Sequence, residues 1–121
     1  MTGESLTLYW LPHCTTCQKA AQYLAKTGHT ITAFRDIKSA PLERKEVERL
    51  AALVNDADEI FSRRARKYRA MNLAERELTA EEMIQLMSDE YTFIKRPVLV
   101  IDGRAIAGFS PKSYDSFLEQ V

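Results

Sequence analysis

The only two cysteines of the chain, Cys14 and Cys17, stand three residues apart in the run H-C-T-T-C. If a helix begins at this point, Cys14 lies at its start, where free backbone N–H groups and the positive end of the dipole favour a thiolate. A lowered thiol pKa enlarges the reactive fraction near neutral pH. Cys17, one turn later, can reach the first sulfur and resolve a mixed disulfide. His13 is adjacent and can either lend positive charge or face water. A structural zinc site needs four ligands. Besides the cysteines only His13 and His29 offer nitrogen, with His13 awkwardly next to Cys14, so no metal is expected.

The elements that must position the pair are legible on either side of it. Leu6 to Leu11 (L-T-L-Y-W-L) is rich in aromatic and apolar residues and reads as a strand, with Tyr9 and Trp10 as core aromatics. Pro12 ends it, because proline cannot donate to a sheet ladder. Gln18 to Lys26 carries Ala20, Ala21 and Leu24 on one face, and Gly28 is a helix stop. Thr30 to Phe34 reads as a second strand, so the first 34 residues form a βαβ unit with parallel strands.

Pro41 suits the first turn of the next helix, whose apolar positions are Val47, Leu50, Ala51 and Val54. Thr79 with Glu82 is a capping-box pair, followed by the stripe Met83, Leu86 and Met87. Pro97 precedes a short strand, Val98 to Ile101, and Asp102-Gly103 predicts a hairpin that returns through Arg104 to Ala107. Ser110-Pro111 opens a last helix with Tyr114, Phe117, Leu118 and Val121 toward the core. The order βαβ, helices, ββα predicts an α/β, thioredoxin-like fold. It is a four-stranded mixed sheet with helical material inserted between its two halves.

With 121 residues, the chain is expected to be a single domain, 1–121, with a core that needs no disulfide staple. Seventeen basic and seventeen acidic side chains cancel, which argues against binding nucleic acid directly through phosphate neutralisation. The opening residues lack a basic start and a long apolar run, and no stretch approaches the length of a membrane span. The expectation is a cytoplasmic monomer with no membrane association. In that reducing compartment a close cysteine pair is catalytic or redox-sensing rather than structural.

Three segments in order resemble the arsenate reductase (ArsC)/Spx family over essentially the full length. They are Y-W-L-P-H-C-T-T-C-Q-K-A, D-E-I-F-S-R-R-A-R-K-Y-R-A-M-N-L and I-K-R-P-V-L-V-I-D-G-R-A-I-A-G-F. The resemblance implies a thioredoxin fold with an all-helical insert, here about 45–90, and a cis Pro97 beside the active-site loop. It places Cys14 on the family's catalytic cysteine, Arg64 on the arginine of the middle motif, and Arg96 on the arginine before the proline. Two arginines converging on a thiolate would lower its pKa, orient an anionic substrate and stabilise developing charge. The alternatives are a solvated helix face for Arg64 and a snorkelled strand end for Arg96. Arg63, Arg66, Lys67 and Arg69 complete a basic run of mostly surface charge.

Departures from the family pattern separate its activities. Glutaredoxin-coupled arsenate reductases use a third arginine after the last strand, where this chain has Phe109. Losing one of three oxyanion ligands removes about 1.5–3 kcal/mol of charge-assisted bonding. G-F-S-P-K-S-Y-D-S-F-L is similar to the end of the YffB-like proteins, proposed glutathione-dependent thiol reductases. The C-x-x-C pair and D-E-I-F-S-R-R resemble Spx, a redox switch that binds the RNA polymerase α subunit. Spx-type proteins carry a glycine in the loop before D-E-I, and this chain reads V-N-D-A-D-E-I.

The expectation is therefore a thiol–disulfide oxidoreductase with no bound cofactor, reduced by glutathione or thioredoxin and acting on glutathione or a disulfide substrate. Cys14, Cys17, Arg64 and Arg96 are its candidate catalytic residues. His13, Arg64, Arg96 and Pro97 are the candidate substrate contacts. A Spx-like regulator binding RNA polymerase is the alternative, and an arsenate reductase the third.

Overall fold

The computed structural model describes residues 5–119. In chain order they form β1 (Leu6–Trp10), α1 (Thr15–Lys26), β2 (Ala33–Asp36), α2 (Arg44–Leu53), α3 (Arg66–Ala70), α4 (Ala80–Asp89), β3 (Val98–Ile101), β4 (Arg104–Ala107) and α5 (Pro111–Glu119). Short 3-10 turns at Ala57–Glu59, Leu73–Glu75 and Tyr91–Phe93 join the central helices. Two compact units result. One runs to Ser39 and resumes at Arg96, and the other is the helical segment Ala40–Lys95. No helix of the described residues is long and apolar enough to cross a membrane.

The first unit holds a four-stranded sheet in the order β2-β1-β3-β4. β1 and β2 are parallel and the other pairs antiparallel, so the sheet is mixed and thioredoxin-like, as the element order predicts. Leu6 faces Ile101 and Leu8 faces Leu99 across β1 and β3. Because side chains alternate along a strand, these four share one sheet face. Ala20 and Leu24 of α1 and Tyr114 and Phe117 of α5 complete the core on that face. Each fully buried leucine or isoleucine there contributes about 1.5–3 kcal/mol. Trp10 packs at the edge of this cluster, half-buried, with its ring 4.5 Å from Phe34. Tyr9 is also half-buried. Leu118 is partly buried against the core, and Val121 lies outside the described residues.

Local chemistry sets the ends of these elements. Gly28 follows α1 at φ 87°, the left-handed conformation that ends a helix without a Cβ penalty. Asp102 and Gly103 both take positive φ, 42° and 84°, as a two-residue hairpin turn between β3 and β4 requires. Ser110 caps α5, its Oγ accepting the Ser113 N–H at 3.1 Å.

Two boundaries move from their predicted places. β2 spans Ala33–Asp36 rather than Thr30 to Phe34. It is an edge strand whose Ala33 and Phe34 are exposed, so burial leaves no pattern from which to read its register. Pairing with β1 decides it instead, from Thr7 opposite Ala33 to Trp10 opposite Asp36. The Asp36 carboxylate then accepts the N–H groups of Lys38 and Ser39 and turns the chain away.

In the helical unit, α2 starts at Arg44, and Pro41 lies outside its first turn. Glu43 and Glu46 form a reciprocal capping box that begins the helix three residues after the proline. The buried residues of α4 are Met83, Ile84 and Met87, with Leu86 only half-buried. Phe61 and Phe93 stack at 5.5 Å within this unit. The Ser62 N–H donates to Phe93 O at 2.7 Å and the Lys95 N–H to Ile60 O at 2.8 Å, tying the unit's end to its middle.

The predicted box at Thr79 is present in both directions, with the Glu82 N–H on Thr79 Oγ1 at 3.1 Å and the Thr79 N–H on the Glu82 carboxylate at 3.0 Å. Thr79→Ala removes the first of these and should destabilise the helical unit by about 1 kcal/mol. Urea denaturation followed by circular dichroism checks this as a lowered midpoint.

Candidate functional site

Cys14 is the N-cap of α1, with extended backbone angles of φ −82° and ψ 120°. Its Sγ accepts a hydrogen bond from the Cys17 backbone N–H at 3.4 Å, the role that a serine or aspartate oxygen plays at other helix starts. This cap sets the start of α1 at Thr15, which places Cys14 at the helix start as expected from the sequence. The approach is held by the Cys14 N–H on Leu11 O at 3.1 Å. The Gln18 side-chain amide also donates to Pro12 O at 2.8 Å.

Both cysteines are free thiols, Cys14 half-buried and Cys17 fully buried. Their environments push them in opposite directions. Burial pushes the Cys17 thiol up to about 12, with the hydrogen bond and charge of Cys14 adding to the rise. The Leu11 backbone and Arg96 pull against it. For Cys14, burial also acts upward. It is outweighed by hydrogen bonds from the Cys17 thiol and Cys17 N–H, the Arg96 charge and the Thr16 N–H, so Cys14 lies below the ordinary thiol range. The pair therefore consists of a thiolate-prone outer sulfur and a protonated inner one that donates to it, a division suited to a nucleophile and a resolving thiol.

Arg96 sits immediately before the buried Pro97, and the bond between them is cis, as the resemblance implied. The Pro97 carbonyl accepts the Gly108 N–H at 2.8 Å, so β3 and the segment after β4 together hold this corner. The Arg96 side chain is half-buried, and its Nη1 is enclosed with no hydrogen-bond partner among the described residues. A guanidinium with a free, partly desolvated donor acting on a thiolate is suited to grip an anionic group next to the reacting sulfur.

The other predicted residues are placed differently. His13 is exposed and makes no hydrogen bond or ion pair among the described residues. Arg64 belongs to the helical unit, exposed in the turn before α3, with its backbone N–H on Ser62 Oγ at 3.3 Å. Of its basic neighbours, Arg63 pairs with Asp58 at 2.5 Å and Lys67 with Glu90 at 3.0 Å. Phe109, at the position of the third arginine of arsenate reductases, is packed edge-on to Tyr114 at 4.8 Å and lies 5.7 Å from Tyr23. Tyr114 was predicted only as a core residue. Its hydroxyl is buried within the electrostatic reach of Cys17. The available signal was a tyrosine, rather than a phenylalanine, on the buried face of α5.

A mixed four-stranded sheet with a cis-proline corner and a C-x-x-C cap on its first helix defines a thioredoxin-like protein. The ArsC family model matches residues 9–117, and the chain belongs to the ArsC family. The global transcriptional regulator Spx of Streptococcus pneumoniae is 29% identical over 115 residues, covering 93% of this chain and 85% of Spx. The Bacillus subtilis protein YusI is 30% identical over 114 residues, covering 92% of this chain and 96% of YusI. Among solved structures, the YFFB protein matches with a TM-score of 0.81 and 28% identity, over 93% of this chain and 97% of that one. These relationships place the chain among thiol oxidoreductase-like proteins and Spx-type regulators.

Arg96→Met removes a positive charge that stabilises the Cys14 thiolate, so the Cys14 pKa should rise. Alkylation by iodoacetamide should then slow several-fold at pH 7, with its pH profile displaced to the alkaline side, while the two proteins converge above about pH 10. Mass spectrometry of the Cys14 adduct at a series of pH values measures both effects.

Proposed function

We propose that the protein is a thiol–disulfide oxidoreductase whose C-x-x-C dithiol is re-reduced by glutathione or thioredoxin. The observation that carries this reading is the opposed state of the two sulfurs, with Cys14 lowered at the helix cap and Cys17 raised behind it. The Cys14 thiolate attacks one sulfur of a glutathione mixed disulfide, and the other sulfur leaves as a thiolate. Cys17 then loses its proton and attacks Cys14, the second thiol departs, and a Cys14–Cys17 disulfide remains. The two electrons given to the substrate are restored when the reductant opens that disulfide. Arg96 positions the anionic part of the substrate. Arg64 is given the same role on the family resemblance, and His13 and Pro97 are assigned to the substrate contact.

A second reading is a redox switch of the Spx type, in which the same disulfide alters affinity for the RNA polymerase α subunit. It is favoured by the regulator named among the relatives and by the loop before Asp58. Asn55 there takes φ 68°, the left-handed conformation that a glycine adopts freely, so a turn of that shape forms without glycine. Arsenate reduction is the least supported activity, because Phe109 packs among aromatic rings where a third arginine would be needed.

Turnover of a glutathione mixed disulfide, read through glutathione reductase and NADPH, tests the enzyme. The native protein should turn over, Cys14→Ser should not, and Cys17→Ser, charged in the absence of reduced glutathione, should hold the adduct on Cys14. Full activity in Cys14→Ser would exclude the mechanism. No turnover, together with a reversible disulfide and redox-dependent capture of the polymerase α C-terminal domain, would favour the switch.

A further inference from the structure

The first unit spends a polar atom in its core. Tyr114 is fully buried, and its hydroxyl has no hydrogen-bond partner among the described residues. Leaving a buried hydroxyl unsatisfied costs about 1–3 kcal/mol, and phenylalanine would fill the same space without that cost. The ring stands edge-on to Phe109 at 4.8 Å and belongs to the same buried cluster as Ala20 and Leu24 of α1. Those two residues follow Cys17 by three and seven positions, so all three lie on the same buried face of the helix. The hydroxyl lies near enough to Cys17 that a charge on that sulfur acts on it.

We propose that Tyr114 is a positioning residue for the resolving thiol, its hydroxyl donating a hydrogen bond to the Cys17 sulfur whenever that sulfur carries negative charge. The use of this contact in catalysis rests on the cycle proposed above, and the contact itself does not. Burial and the charge of Cys17 both push the Tyr114 phenol above its ordinary value, so the group keeps its proton and acts as donor, not as base. The groups acting on Cys17 are Cys14 at the helix cap and Arg96 before β3, together with the Leu11 backbone, and Cys17 in turn acts on Tyr114 of α5. In a mixed disulfide Cys14 bears no charge and no longer opposes ionisation of Cys17.

In the resolving step the Cys17 proton passes to solvent. The Cys17 thiolate attacks Cys14 Sγ, the Cys14–Cys17 bond forms, the bond to glutathione breaks, and glutathione leaves as the thiolate. Two electrons pass from the cysteines to the departing sulfur. Tyr114 steadies the negative sulfur before the attack, and steadies it again when reduction releases Cys17 as the leaving group.

The test uses Tyr114→Phe, which keeps the ring and removes the hydroxyl. Cys14 is charged with oxidised glutathione, the reaction is quenched with acid at intervals, and the adduct is followed by mass spectrometry. Decay of the adduct into the internal disulfide should slow about tenfold at pH 7.5, with its pH profile displaced to higher pH. In parallel, Cys17 is read alone in Cys14→Ala, with and without Tyr114→Phe, by its rate of reaction with methyl methanethiosulfonate against pH. The same alkaline displacement is expected. Unchanged decay with superimposable profiles would overturn the proposal. A displaced profile for Cys17 alone, in a protein whose adduct never resolves even with Tyr114 present, would uphold the contact and reject the resolving cycle.

Discussion

A single sulfur serves as helix cap and as candidate nucleophile, and the arrangement of the first unit follows from that double use. Cys14 Sγ can accept the Cys17 N–H only where the chain leaves β1, turns at Pro12 and enters α1 without a spare residue. The same geometry that satisfies an orphan donor of the first turn places negative charge at the positive end of the helix. A cap made by oxygen would give the same helix and no thiolate. The chemistry is thus written into a local structural necessity, and the strand and helix on either side keep it in place.

The second constraint comes from the far end of the chain. The Arg96 charge acts on the thiols because β3 pairs antiparallel with β1, with Val98 opposite Tyr9. A slip of one residue in that register would turn Leu99 and Ile101 away from α1 and α5 and remove the core. Packing of the sheet and placement of the arginine are therefore one requirement. The free Nη1 of Arg96 shows that this side chain is not consumed by a structural ion pair among the described residues.

The two thiols share a sequence motif and differ by nearly everything else. One is half-buried with donors around it, and the other is buried on the apolar face of α1 with Ala20 and Leu24. An oxidoreductase and a redox-responsive regulator both need this asymmetry, since each depends on an accessible sulfur that reacts first and an enclosed one that closes the disulfide. Where the two functions part is at the surfaces that meet a substrate or a partner, the region in which members of one fold diverge.

Much of this was legible in the residues. The capping box at Thr79, the hairpin at Asp102-Gly103, the stop at Gly28 and the cap at Ser110 are local, because each rests on a hydrogen bond or dihedral preference within a few residues. β2 was misplaced because an exposed edge strand has no buried face to betray its register. The start of α2 was misplaced because a glutamate pair, Glu43 with Glu46, competed with a proline for the first turn. By itself the sequence determined the order of elements, the C-x-x-C cap and the family. Only the tertiary structure decided that Cys14 is lowered while Cys17 is raised, that Arg96 acts on both, and that a tyrosine hydroxyl of α5 is buried within the electrostatic reach of the inner sulfur. Desolvation and charge depend on which distant segments pack around a group, and no run of neighbouring residues records that.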